Sequence, residues 1–285
     1  MRSVVVTGTS TGIGWGTAKV LIDNGFRVFG SVRKAADAER LAAEFGARFV
    51  PLIFDVTDEA AVNAAAAAVR KELGGERLAG LINNAGVAVA GPLLLLPLQD
   101  FRRQIEINLI GVVIVTKAFA PLLGVDPQLE GAAGRIVNIG SVGGRIANPF
   151  ISPYNASKFA IEGLSEGLRR ELLLFGIDVI VVAPGAVATP IWRKAEHIDV
   201  SPYADTPYAA ALERLRKYMQ AIAQKGLPPE RIGETVLQAL TATKPKVHYT
   251  ISPTPMQHWL ARTLPKRVVD RMIGKRLGLL PARPS

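Results

Sequence analysis

The 285-residue sequence contains no cysteine, which excludes disulfides, zinc–thiolate sites and thiol catalysis. This absence is compatible with a reducing cytoplasm, where we expect the protein to reside. No run reaches the roughly 20 uninterrupted apolar residues of a membrane-spanning helix, and the most apolar stretch, Leu109 to Leu123, is interrupted by Thr116 and Lys117. Met1 and Arg2 lead straight into an apolar run, so we expect no signal peptide.

Acidic residues are scarce at the C-terminal end. The net charge is +10, yet residues 244–285 hold nine Lys or Arg and one acid, Asp270, and so carry +8 of it. The other 243 residues carry only +2. Because phosphate backbones bind to a basic face or stripe, this nearly neutral body argues against a nucleic-acid partner.

Strand-like and helix-like segments alternate along the chain. Runs of Val, Ile and Leu are typical of strands buried on both faces, and helices of ten or more residues between them predict parallel βαβ units. The predicted strands span residues 3–7, 27–32, 48–54, 78–83, 135–141, 177–183 and 247–251. The predicted helices span residues 14–24, 58–73, 101–123, 153–175 and 229–241. The pattern weakens in residues 191–226, which we predict to form a mixed, mobile segment. The fold class is therefore α/β, a Rossmann-type doubly wound parallel sheet with helices on both faces. We assign residues 1–250 to this single domain and 251–285 to a basic helical extension packed on or beside it.

The first strand leads into a glycine-rich turn, Thr7-Gly8-Thr9-Ser10-Thr11-Gly12-Ile13-Gly14, and then into a helix. Glycines let the chain turn tightly and let a pyrophosphate approach the backbone, and a helix N-terminus offers free N–H groups to the anion. The spacing differs from the commoner Gly-x-Gly-x-x-Gly pattern, so a glycine turn without a ligand is the alternative. We predict a dinucleotide site formed by Gly8, Ser10, Thr11, Gly12, Ile13 and Gly14.

The end of the second strand, Gly30-Ser31-Val32-Arg33-Lys34, carries two cations and no acid. An Asp or Glu there would bind the ribose diol of NAD, whereas an Arg accommodates the 2′-phosphate of NADP. We predict that Arg33 makes NADP(H) the preferred cofactor, with NAD(H) as a weaker one. A solvated Arg–Lys pair at a helix start is the alternative.

Tyr154 and Lys158 lie four residues apart, about one helical turn, so the phenol and the ammonium share a face. A cation beside a phenol favours the phenolate and should lower its pKa. Such a phenol can give a proton to a carbonyl or take one from an alcohol. A surface Tyr near a solvated Lys has the same spacing, so the pair needs support from other motifs.

Together, and in this order, the motifs resemble the short-chain dehydrogenase/reductase family. The matching residues are the glycine turn, Asn83-Asn84-Ala85-Gly86, Asn108 in Ile107-Asn108-Leu109, Ser141 in Asn138-Ile139-Gly140-Ser141, the Tyr154–Lys158 pair, and Pro184-Gly185 with Thr189. They cover roughly residues 3–190. The stretch from Gly144 to Pro190 also resembles the branch that contains retinol and 17β-hydroxysteroid dehydrogenases and their bacterial relatives.

The resemblance implies hydride transfer between a nicotinamide and a carbonyl or alcohol carbon, with no metal. Tyr154 would be the general acid in reduction and the general base in oxidation, and Lys158 would tune it and hold the nicotinamide ribose. Ser141 would stabilise the developing negative charge, and Asn108 would anchor a water in a proton relay. On their own, a serine at a strand end or an asparagine within a helix are more often structural.

The resemblance also implies the remaining contacts. Asp55 and Val56 would meet the adenine edge, although Asp55 could be only a turn residue. The ribose and diphosphate side would be lined by Asn83, Ala85 and Gly86, and the nicotinamide side by Tyr154, Lys158, Pro184, Gly185, Val187 and Thr189. The substrate would contact Ser141, Gly143, Tyr154 and Trp192.

The parts that choose the substrate would be the segment Gly143 to Phe150 and a lid at about residues 190–226. Their apolar and aromatic content indicates an apolar ketone, aldehyde or secondary alcohol, steroid-like or retinoid-like, although a structural helix would carry the same residues. We expect a homodimer or homotetramer. A non-catalytic dinucleotide sensor or scaffold on the same fold is the alternative function.

The tail allows two interpretations. Pro265 can open a helix whose apolar face carries Leu264, Val268, Val269, Met272, Ile273 and Leu277, and whose other face carries Lys266, Arg267, Arg271 and Lys275. Such a helix can lie in a membrane interface, or it can pack its apolar stripe on the body or on another subunit. We favour packing over peripheral membrane contact.

Overall fold

Seven strands form one fully parallel sheet in this computed structural model, which describes residues 1–189, 201–223 and 226–281. The strands are β1 (Ser3–Val6), β2 (Arg27–Val32), β3 (Phe49–Ile53), β4 (Gly80–Asn83), β5 (Arg135–Ile139), β6 (Asp178–Pro184) and β7 (His248–Ile251). Their order across the sheet is β3-β2-β1-β4-β5-β6-β7. The chain therefore reverses direction across the sheet between β1 and β4, and open α/β sheets bind ligands at the carboxyl edge of such a point.

Ten α-helices are described along the chain, and those of the domain cover both faces of the sheet. They are α1 (Gly12–Asp23), α2 (Ala35–Phe45), α3 (Glu59–Leu73), α4 (Leu98–Ile105), α5 (Gly111–Ala120), α6 (Ser152–Glu171), α7 (Ala209–Ala223), α8 (Pro229–Thr241), α9 (Pro255–Thr263) and α10 (Lys266–Leu277). The predicted α/β doubly wound fold is confirmed.

The side chains of β1 point alternately to the two faces of the sheet, and each face has its own buried core. Val4 and Val6 face a buried cluster with α1, α2 and α8, whereas Val5 faces a second cluster with α3 and α5. Successive strand residues point to opposite faces, so an unbroken Val run serves a sheet that is covered on both sides. The two cores hold the carboxyl ends of the strands in fixed register.

The structure differs from the sequence-based prediction at three helices. Helix α2 was missed because its sequence is mostly alanine and charge, and it buries only Ala38 and Leu41. Residues 209–223, predicted as part of a mixed segment, form helix α7. The single helix predicted over residues 101–123 is interrupted by π-helical turns at Glu106–Ile110 and Pro121–Val125.

The helical run Leu98–Val125 is long and apolar enough to cross a bilayer by length and composition. Its side chains Val115, Phe119, Leu122 and Leu123 are buried in the core that this run shares with α3 and the sheet. Packing within the fold therefore buries part of the run, 44% of its most apolar window.

The C-terminal helix α10 packs on α7. Leu277 is buried in a third apolar cluster with Leu212, Leu215 and Met219, and the Arg214 guanidinium donates a hydrogen bond to the Leu277 carbonyl at 3.1 Å. The predicted apolar stripe is divided, because Val269 and Leu277 are buried while Val268 and Met272 are exposed. The basic side chains Lys266, Arg267, Arg271 and Lys275 are exposed, as packing of the opposite face requires.

Candidate active site

The glycine turn after β1 is shaped by positions that a side chain could not occupy. Gly8 and Gly12 have φ of +70° and +62°, where L side chains are strained. A Cβ on Gly14 would lie 2.1 Å from the Gly8 carbonyl oxygen. Two hydrogen bonds fix the turn from outside: the Gly8 N–H donates to Ser31 Oγ at 3.0 Å, and Arg40 donates to the Ser10 carbonyl at 2.7 Å.

Thr7 and Asn84 join the turn to the end of β4, and the sequence analysis assigned neither residue to the site. The Thr7 hydroxyl oxygen accepts from the N–H groups of Asn84 and Ala85 at 2.9 and 3.0 Å. The Asn84 side chain donates to the carbonyls of Thr7 and Gly8 at 2.8 and 3.1 Å. The carboxyl ends of β1 and β4 are thus locked together at the switch point of the sheet.

The N-terminus of α1 suits an anion. Thr11, its N-cap residue, makes no side-chain capping bond, and the first turn carries no acid. The first N–H groups of a helix have no partner within the helix and attract negative charge. The cradle of Ser10, Thr11, Gly12 and Ile13 therefore fits a pyrophosphate, which would bind to these main-chain groups.

At the end of β2, the Arg33 side chain is exposed, and its Nη1 lies 3.8 Å from Asp55 Oδ2. Asp55 also accepts hydrogen bonds from the Thr57 N–H and hydroxyl at 3.0 and 2.8 Å, so it forms the turn that was the alternative to an adenine contact. A groove of about 410 Å³ opens here, lined by Arg33, Asp55, Thr57, Arg102, Arg103, Glu106 and Ile107. Val56 is buried beneath Gly111, where a Cβ would lie 2.7 Å from its methyl group.

Two predicted cofactor residues, Asn83 and Val187, have side chains that point away from the carboxyl edge of the sheet. The Asn83 amide is buried and donates to Thr116 Oγ1 at 3.0 Å and to Asn138 Oδ1 at 2.8 Å. Val187 is buried in the core with α1 and α8. These side chains serve packing rather than the predicted ribose and nicotinamide contacts, which leaves only the main chain of both residues for a ligand.

Packing and a main-chain hydrogen bond position the other predicted contacts. Gly86 lies against Asn108, whose Oδ1 would be 3.3 Å from a Cβ there, and Ala85 packs at the margin of the core with α3. The Gly185 N–H, which follows Pro184, donates to the Ile251 carbonyl at 2.7 Å. Thr189 is buried, and Trp192 lies outside the described residues.

Ser141, Gly143 and Tyr154 meet at the carboxyl end of β5. The Gly143 N–H donates to Ser141 Oγ at 3.0 Å, and the Ser141 hydroxyl lies close enough to the Tyr154 phenol to act on its pKa. A Cβ on Gly143 would lie 3.3 Å from Ser141 Oγ and 3.5 Å from Tyr154 Cε1, so a glycine keeps this approach open. Because the serine oxygen accepts from Gly143, its own O–H is directed away from that N–H and can donate elsewhere.

Lys158 lies one turn after Tyr154 and is buried. Its ammonium donates to the Ile139 carbonyl at 2.7 Å and lies 5.8 Å from the centre of the Tyr154 ring. One of its three N–H donors is therefore used by β5. The other two are available to the phenol or to a bound ligand.

The electrostatics of this pair differ from the expectation. Burial raises the pKa of the Tyr154 phenol, and the hydrogen bond with Ser141 offsets this effect only in part. Burial also lowers the pKa of Lys158 to about 8. The net shift of the Tyr154 pKa is upward, opposite to the predicted lowering, because burial of the phenol is the largest effect on it. At neutral pH the phenol is protonated, which is the form that donates a proton.

Asn108 lies in the π-helical turn and joins three elements. Its Oδ1 accepts from the Val87 N–H at 2.9 Å, and its amide donates to the Val87 carbonyl at 3.0 Å and to Ser157 Oγ at 3.2 Å. Both amide donors are thus used by protein groups. The predicted water anchor can therefore involve only the remaining acceptor capacity of Asn108 or its main-chain groups.

The family model of the short chain dehydrogenases matches residues 2–199. The chain is 37% identical over 278 residues to the NADPH-dependent 3-dehydrocapnine reductase of Ornithobacterium rhinotracheale, covering 97% of this chain and 98% of that protein. It is 33% identical over 285 residues to retinol dehydrogenase 5 of Mus musculus, covering 95% and 87%.

Two solved structures share the fold. A short-chain dehydrogenase from Streptomyces avermitilis aligns with a TM-score of 0.75 and 24% identity, over 98% of this chain and 96% of its own. The 3-ketoacyl-(acyl-carrier-protein) reductase of Brucella melitensis, complexed with NADH, aligns with a TM-score of 0.72 and 24% identity, over 88% and 96%. With the family match and the relatives above, the chain belongs to the short-chain dehydrogenase family of oxidoreductases.

Proposed function

We propose that this protein is an NADP(H)-dependent oxidoreductase that acts on a carbonyl or secondary alcohol of an apolar small molecule. The observation that carries the proposal is the meeting of Ser141 and Tyr154 beside Lys158, at the same sheet edge as the glycine turn. The exposed Arg33 at the end of β2 and the name of the NADPH-dependent relative support NADP(H).

The segments predicted to choose the substrate support an apolar substrate. Phe150 ends the segment predicted to choose the substrate, and its ring meets that of Tyr208 edge to face with the ring centroids 5.8 Å apart. Tyr203 borders the same apolar cluster. Small-molecule pockets are lined mainly by such side chains, with a few placed polar groups. We therefore propose a ketone, aldehyde or secondary alcohol of steroid-like or retinoid-like character.

In the proposed mechanism a bound nicotinamide supplies or accepts the hydride. Tyr154 donates its phenolic proton to the carbonyl oxygen during reduction and recovers a proton from the alcohol during oxidation. The Ser141 O–H, oriented by the Gly143 N–H, donates a hydrogen bond to the same oxygen as negative charge develops. The Lys158 ammonium stabilises the phenolate left on Tyr154, and Ile139 holds that ammonium in place.

The direct test is the consumption of NADPH by the purified protein with a panel of ketones, aldehydes, steroids, retinoids and sugars. We expect turnover with apolar carbonyl compounds and little with sugars. Turnover with no member of the panel, in protein shown to bind NADPH, would contradict the proposed activity.

Replacing Arg33 with Ala should change the cofactor preference. A charge-assisted hydrogen bond contributes about 1.5–3 kcal/mol, so the ratio of kcat/KM for NADPH to that for NADH should fall about ten-fold to a hundred-fold. Lys34→Ala, at the next exposed cation, is the matched control and should change the ratio less. An unchanged ratio in Arg33→Ala would refute the assignment of Arg33.

The reduction rate should depend on the ionisation of Lys158. Because its pKa is about 8, raising the pH through this value removes the cation that stabilises the Tyr154 phenolate. We therefore expect kcat/KM for reduction to be level below about pH 7 and to fall above about pH 8. The measurement is a pH profile at saturating NADPH, and a profile that stays level up to about pH 10 would contradict it.

A further inference from the structure

The loop that carries Ser141 is fastened to α6 by a charged cluster of three residues, Arg145, Glu162 and His248. The Glu162 carboxylate accepts from Arg145 Nε and Nη2 at 3.2 and 3.0 Å. Its other oxygen lies 3.0 Å from His248 Nε2. The Glu162 and His248 side chains are 18% and 12% exposed and that of Arg145 is 33% exposed, so the cluster is partly shielded from solvent.

Each of the three residues comes from a different element. Glu162 lies on α6, one turn beyond Lys158 and two turns beyond Tyr154, on the same face of the helix. Arg145 closes the tight turn Val142–Gly144 that follows Ser141. His248 opens strand β7, which pairs with β6. One carboxylate therefore connects the serine loop, the helix of the tyrosine and the sheet.

The loop and the helix are in direct backbone contact at this point. A Cβ on Gly144 would lie 2.8 Å from the Lys158 carbonyl oxygen and 3.4 Å from Glu162 Cγ. A Cβ on Gly140 would lie 3.7 Å from Glu162 Oε1. The loop and α6 are therefore packed closely here, and the bond from Arg145 to Glu162 joins them beside a second link, in which the Asn155 side chain donates to the Asn148 carbonyl at 2.8 Å.

The Glu162 carboxylate, which anchors the loop, is kept ionised by its partners Arg145 and His248. Burial acts to raise the pKa of Glu162, but the hydrogen bond from His248 and the charges of His248 and Arg145 outweigh it and hold the pKa below its usual value. The carboxylate is therefore ionised throughout the neutral range. An ionised acceptor makes stronger hydrogen bonds than a neutral amide would.

We infer that Glu162 is a positioning residue, which sets the Ser141 hydroxyl against the Tyr154 phenol by fastening the loop 141–146 to α6 through Arg145. The inference rests on the proposed function for its effect on turnover, and on the loop contacts alone for its structural part. Glu162 makes no contact with the reacting groups, so it acts only through the spacing that it enforces.

Two measurements on Glu162→Gln separate the structural role of Glu162 in the loop from its effect on turnover. The first is hydrogen exchange of the loop amides, since the N–H groups of Gly143, Gly144, Arg145 and Ile146 bond to Ser141 or Val142. Loss of the anchor should speed their exchange about ten-fold while the core strands stay protected. The second is kinetics, where a misplaced loop should lower kcat about ten-fold to a hundred-fold with the NADPH dissociation constant unchanged.

Glu166→Gln is the matched control, because Glu166 lies one turn further along α6 in an exposed ion pair with Arg170. It should leave both measurements at the wild-type values. Arg145→Met removes the anchor from the loop side and should reproduce both effects, even if Glu162→Gln folds poorly. The double variant should be no worse than Glu162→Gln alone, since both substitutions break the link between the loop and α6.

The outcomes distinguish the inference from the proposed function. Unchanged loop exchange in Glu162→Gln and Arg145→Met overturns the inference, whatever the wild type turns over. Faster loop exchange with an unchanged kcat overturns it as well, because the anchor would then be merely structural. Wild-type protein that binds NADPH but reduces no carbonyl contradicts the proposed function, and the exchange result still decides the role of the anchor in the loop.

Discussion

Tyr154→Phe is expected to lose nearly all turnover while keeping its affinity for NADP(H). The substitution removes only the phenolic oxygen, which is the proton donor in the proposed reduction. General acid catalysis contributes about 10²-fold to 10⁴-fold, so kcat should fall within that range. The Ser141 oxygen still accepts from the Gly143 N–H at 3.0 Å, so the loop keeps its internal support and the fold should be unaffected.

The measurement pairs steady-state kinetics with an NADPH binding titration. Tyr249→Phe is the control, because its hydroxyl accepts from the Lys246 N–H at 3.1 Å on the edge strand β7, apart from Ser141 and Lys158. That variant should retain wild-type kcat. If Tyr154→Phe instead keeps a substantial fraction of the wild-type kcat, Tyr154 is not the proton donor.

The sequence predicted the sheet well because its strands are buried on both faces and so read as unbroken apolar runs. Each predicted strand overlaps one in the structure, within a few residues at its ends. Helices that bury little were harder to find. Helix α2 buries two side chains, and only periodicity across a longer apolar face would have revealed it.

The candidate site was predicted in part, and the errors have physical causes. The ordered motifs identified Ser141, Tyr154 and Lys158, which the fold brings together. The side chains of the doublet Asn83-Asn84 differ in direction, because successive residues at a strand end point to opposite faces. Asn83 faces the inner hydrogen bonds to Asn138, while Asn84 faces the glycine turn.

Long-range partners could not be read from spacing. Arg145 and His248 reach Glu162 from loop and strand positions 17 and 86 residues away in sequence. A signal for Glu162 itself was present, since residues 154, 158 and 162 recur every four positions on one helix face. Likewise, the burial that raises the pKa of Tyr154 depends on the complete fold rather than on its neighbour Lys158.

The largest expected effect on cofactor binding comes from Gly14→Ala. The added methyl group would lie 2.1 Å from the Gly8 carbonyl oxygen and 2.5 Å from Asn84 Nδ2. Both atoms belong to the hydrogen-bonded junction of β1 and β4, so the turn must open to admit it. Overpacking of this kind costs about 1–3 kcal/mol. It should also displace the N–H groups of α1 from the position that a pyrophosphate requires.

Gly163→Ala supplies the control, because Gly163 lies within α6 and nothing is within 4 Å of its Cβ position. Both variants replace a helical glycine, so Gly163→Ala shows the effect of helix propensity, up to about 1 kcal/mol, and the difference between them reports mainly the contacts of Gly14 with Gly8 and Asn84. Thermal unfolding with and without NADP measures both terms, since a bound ligand stabilises the native state. Gly163→Ala should be as stable as wild type or more so and respond fully to NADP. Gly14→Ala should be less stable and show little response, and a full NADP response in Gly14→Ala would mean that the cofactor does not depend on this turn.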